Sequence, residues 1–236
     1  GCDMMLWPTE NYVENMKKAI ETGYISVERL NDAVERILRT KEKAGLFDKN
    51  RPMFKELTAE EKQFIKDTQE KVSLKSMTLI RDTVGNLPLN KDDVKKILVI
   101  PVINYEPAFK SAEHLCDLIR QRNVEVIYKP YITPADFYKY TEECDRVIFA
   151  MFSRSFKPVG FLDYYERAAS TMQKALNNGR KKTIGVSFGS PYFFKQFFER
   201  SCTFVNAYSM LDCAVEAFVK CAFGEEEFSG FSPVEL

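Results

Sequence analysis

From Lys95 onward the chain alternates short, almost wholly apolar runs with amphipathic stretches, and this alternation restricts the fold more than any other feature. Residues 97–102, 124–128, 146–152, 183–188 and 202–207 are rich in Val, Ile and Phe and read as strands. Between them Phe109, Ala112, Leu115, Cys116 and Ile119 recur at helical steps. Thr133 and Pro134 are N-cap and first-turn proline of a second helix, and 163–178, closed by Gly179, is a third. Ser190 and Pro191 open a short Phe-rich helix, and Ser209 with Asp212 opens a last one that ends at Gly224. Strands without a polar face, separated by helices, belong in a parallel sheet covered on both sides. The expected fold class is α/β, a three-layer α/β/α sandwich with a mostly parallel sheet and right-handed crossovers.

The front of the chain has a different rhythm. GCDMMLWP, residues 1–8, reads as a short apolar strand stopped by Pro8, and Thr9 is placed to cap a helix that Gly23 closes. The next helix has the clearest end signals of the chain: Ser26 as N-cap, Glu28 in the first turn, Lys41 and Lys43 in the last, then Gly45. Val27, Leu30, Ala33, Val34, Ile37 and Leu38 form its apolar side, while Asp32 with Arg36 and Glu35 with Arg39 pair one turn apart. Such a stripe needs a surface to bury against. Residues 46–57 lack periodicity and read as a linker; Thr58 and Glu61 fit a capping box before a helix with Phe64, Ile65, Thr68 and Val72. A strand at 76–82 and a turn at 85–89 follow. The expected organisation is a strand–helix–helix piece over 1–45, a linker and connecting helix over 46–75, and the α/β sandwich over 76–236.

Charge and cysteine usage exclude several function classes. The 34 Lys and Arg balance 34 Asp and Glu, so the chain lacks the footprint of a nucleic-acid or anionic-membrane binder, and Arg180, Lys181 and Lys182 read as a solvated turn. No stretch approaches the ~20 apolar residues of a membrane span. The six cysteines form no C-x-x-C pair and lack histidines at zinc-ligand spacing, which predicts small buried hydrophobes, no metal and a reducing, cytoplasmic setting. Gly185, Ser187 and Gly189 make a literal G-x-S-x-G between strand and helix. In the α/β-hydrolases the base follows that serine, whereas the single histidine here, His114, precedes it. The serine is therefore expected at a tight strand end and His114 as a half-exposed helix residue. The first sandwich strand is followed by neither G-x-G-x-x-G nor a Walker loop, so no cofactor is expected. Glu106, Asp163 and Glu166 lie at the strand-to-helix edge where open sheets bind ligands, so each reads either as an acid of the kind glycoside hydrolysis uses or, the preferred reading, as helix N-terminal charge. At that edge the loop 153–161 offers Arg154 and Lys157 among aromatics, either as a contact to a sugar or acidic ligand or as plain surface.

Five stretches, in order, resemble glycoside hydrolase family 3, in its β-N-acetylglucosaminidase branch. GCDMMLWP is similar to the A-G-x-D-x-x-L-x-P of the last strand of that family's (β/α)8 barrel, and AIETGYISVERLNDAVERILRTKEKAGLF to its closing helices. KSMTLIRDTVGNLPL resembles the entry into the second domain, GSPYFFKQF the G-N-P-Y turn with serine for asparagine, and FGEEEFSGFSPVEL the closing segment. The resemblance implies a helical remnant of a (β/α)8 barrel followed by the family's C-terminal sandwich. It implies a parent that hydrolyses terminal β-N-acetylglucosaminide or related β-glycoside bonds with retention, a β-N-acetylhexosaminidase. The nucleophilic aspartate and the K-H-F-P-G-H-G-type loop match no position here, so catalytic residues are expected upstream and the chain alone is expected to be inactive. Asp3 and Arg154 are the candidate substrate-binding residues. Carbohydrate is the expected partner, through the missing barrel. The exposed run Met4, Met5, Leu6, Trp7 is expected to draw a second copy into a homo-oligomer. The alternative reading is a non-catalytic sugar-binding or assembly module of flavodoxin-like fold.

Overall fold

The computed structural model describes residues 1–8, 10–52, 54–103, 106–130, 132–152, 177 and 179–236. It divides into two compact units, Gly1–Thr58 and Ala59–Leu236.

The first unit holds α1, Tyr12–Glu21, and α2, Val27–Lys43. Helix α2 is built as its end signals predict: the Ser26 hydroxyl accepts from the Arg29 N–H, and Gly45 has a φ of +68° beyond the last turn. Before α1, Asn11 stands in the left-handed region at φ 62° without a side-chain cap; the expected cap Thr9 lies outside the described residues. Residues 1–8 do not form the expected strand. An apolar run becomes a strand only when a neighbour takes up its backbone groups, and no strand is present in this unit among the described residues.

In the second unit the order is α3 (Ala59–Ser76), β1 (Thr78–Asp82), β2 (Lys96–Ile103), α4 (Ala108–Arg120), β3 (Glu125–Tyr128), α5 (Pro134–Glu143), β4 (Arg146–Phe152), β5 (Thr183–Ser187), β6 (Thr203–Asn206) and α6 (Asp212–Ala222). The strands form one six-stranded sheet in the order β1-β6-β5-β4-β2-β3. Every pairing is parallel except that of β1 with β6. The expected helix at 163–178 falls, apart from Asn177, outside the described residues.

Alternation along the strands feeds two cores. Ile97, Val99, Ile148, Ile184, Val186 and Val205 face α4 and α6 on one side. Leu98, Ile100, Val147, Phe149 and Phe204 face α5 and the Phe-rich turn on the other. The result is a three-layer α/β/α sandwich, as the apolar strands require. The short Phe-rich helix expected after Pro191 is present as a single π-helical turn, Phe194–Phe198, which packs Phe194 and Phe198 against Phe204 and Phe198 against Phe149. Edge strand β1 is fastened by a polar cluster: Asp82 accepts from the Asn86 and Leu87 N–H groups and from the Thr203 hydroxyl, and the Asn86 amide donates to Thr203.

Candidate functional site

The parallel strands reverse their order between β2 and β4, so Ile103 and Phe152 end side by side at the carboxyl edge, where ligands of open α/β sheets bind. Of the residues expected there, Glu106 is exposed just before α4, and its backbone carbonyl accepts from Phe109. Asp163, Glu166, Lys157 and the candidate Arg154 lie outside the described residues.

The G-x-S-x-G segment is structural. Ser187 is fully buried at the end of β5 and donates its hydroxyl proton to the Ser190 carbonyl, 2.7 Å away. Gly185 is dictated by packing, because a Cβ there would stand 2.6 Å from the Phe204 ring and 2.7 Å from that of Phe198. His114 is half-buried on α4, with Nε2 3.6 Å from the Glu216 carboxylate on α6, an interhelical pair remote in sequence from the serine. All six cysteines are free. Burial pushes the thiol of Cys116 up to about 12 and those of Cys144 and Cys221 up to about 11, which makes them poor nucleophiles. Among the described residues no group of three or more His, Cys, Asp or Glu is placed to hold a metal ion, and no helix is long and apolar enough to cross a membrane.

Asp3, the other candidate, is gripped by two arginines of α2. Arg29 Nη2 donates to Oδ1 at 2.6 Å, Arg36 Nε to Oδ2 at 2.7 Å, and Arg36 Nη2 to Oδ1 at 3.2 Å. Arg36 also pairs with Asp32, and Arg29 Nη2 donates to the Cys2 carbonyl. Arg36 first and Arg29 second hold the Asp3 carboxyl below the usual carboxylate range. At Gly1 a Cβ would stand 2.7 Å from Arg29 Nη2, so the small residue admits the guanidinium. Beside this cluster runs a groove of about 470 Å³ lined by Asp3, Met4, Arg36, Ile37, Lys41 and Leu46. These bonds tie Asp3, and with it the N-terminal segment, to α2. Sequence reasoning paired Arg36 with Asp32 alone; the seven-residue spacing of Arg29 and Arg36, which puts both on one helix face, was the available signal.

No family model matches the chain. A β-N-acetylglucosaminidase/β-glucosidase of Cellulomonas fimi is 27% identical over 252 residues, covering 100% of this chain and 44% of that protein. A solved β-glucoside phosphorylase, BglX, superposes with a TM-score of 0.72 at 23% identity, over 100% of this chain and 44% of its own. A glycoside hydrolase family 3 β-N-acetylglucosaminidase from Paenibacillus sp. str. FPU-7 gives 0.65 at 20% identity, over 93% of this chain and 42% of its own. The chain spans less than half the length of these proteins. From end to end it is similar to β-N-acetylglucosaminidases and β-glucosidases of glycoside hydrolase family 3, with the fold of one part of them.

Proposed function

We propose that the chain serves as the sandwich portion of a family 3-type glycoside hydrolase, whose complete polypeptide removes terminal β-linked N-acetylglucosamine or a related β-glycoside with retention. The observation that carries this reading is the match to the Cellulomonas fimi enzyme, which runs through this whole chain yet takes up only 44% of the relative. Retaining hydrolysis needs a nucleophilic carboxylate and a proton donor facing each other across the sugar. In this reading both come from the remaining length, and the chain alone is inactive. The internal bond of Ser187 and the arginine-bound state of Asp3 support that assignment. Carbohydrate is the partner of the complete protein, and six unpaired thiols favour a reducing, cytoplasmic setting.

The test is hydrolysis of chromogenic β-N-acetylglucosaminide and β-glucoside by this chain and by a longer polypeptide containing it. Each is assayed with and without phosphate, because one similar structure is a β-glucoside phosphorylase. Turnover by the longer polypeptide alone is expected. Turnover by this chain, or an inert longer polypeptide on both substrates, overturns the reading.

A further inference from the structure

We draw no further inference here: the strongest candidate, the half-exposed apolar stripe of Val27, Val34 and Leu38 on α2 beside its groove of about 560 Å³, is an unpartnered face, and nothing in the structure shows what covers it.

Discussion

Single residues here carry duties different from those their letters advertise. Gly185 and Ser187 spell a nucleophile elbow, yet the glycine is there to admit two phenylalanine rings and the serine closes a turn. Gly185→Ala is expected to destabilise the fold by about 1–3 kcal/mol through overpacking, lowering Tm by roughly 3–10 °C in a thermal melt. Ser187→Ala is expected to leave any glycosidase activity of a longer polypeptide untouched. The arginine grip on Asp3 makes a pH prediction of definite sign. Because the folded carboxyl is held below its ordinary range, the grip is complete above that range and fades only as pH falls through the lowered value. Carbon NMR of Asp3 is expected to show a midpoint below the ordinary aspartate range, and Arg36→Ala is expected to raise it. Thiol labelling at pH 8 is expected to find the exposed Cys2 first and to leave Cys116 unreacted until the protein unfolds.

At the scale of elements, local chemistry predicts helices better than it predicts what joins them. The Thr133 hydroxyl accepts from the Asp136 N–H at the start of α5, as Thr133–Pro134 implies; Thr133→Ala is expected to cost about 1 kcal/mol in denaturant unfolding. The sandwich strands were legible because every residue of Val147–Phe152 or Ile97–Ile103 must be buried, and only a doubly covered sheet does that. Residues 1–8 were misread because apolarity specifies burial, not the partner strand that makes a ladder. The short helix at Phe194–Phe198 was legible but its π form was not, because four phenylalanines within 193–198 mark a packed helical turn without fixing its pitch. The antiparallel direction of β1 has no local signature; it follows from Asp82 finding Thr203, 121 residues away. The candidate site was legible only in part for the same reason. Asp3 stood out as a candidate, but its bonds depend on arginines brought to it by the folding of α2.

For the whole molecule, the two units differ in the resource that stabilises a fold. The second buries two continuous cores, whereas neither helix of the first has a fully buried residue. Residues 59–236 expressed alone are therefore expected to keep a cooperative thermal transition, while residues 1–58 alone are expected to show none. Circular dichroism melts of both pieces check this. The order of the sheet also sets a timetable. Strand β1 is the first of the six to leave the ribosome, and β6, its only neighbour in the sheet among the described residues, is the last. During synthesis the β1 edge therefore stays open while more than a hundred further residues are added, exposing Leu79 and Ile80 on an unpaired strand until β6 emerges and pairs with it. A nascent chain stalled before Cys202 would carry every parallel strand but β6 and still lack the contact that shuts the sheet.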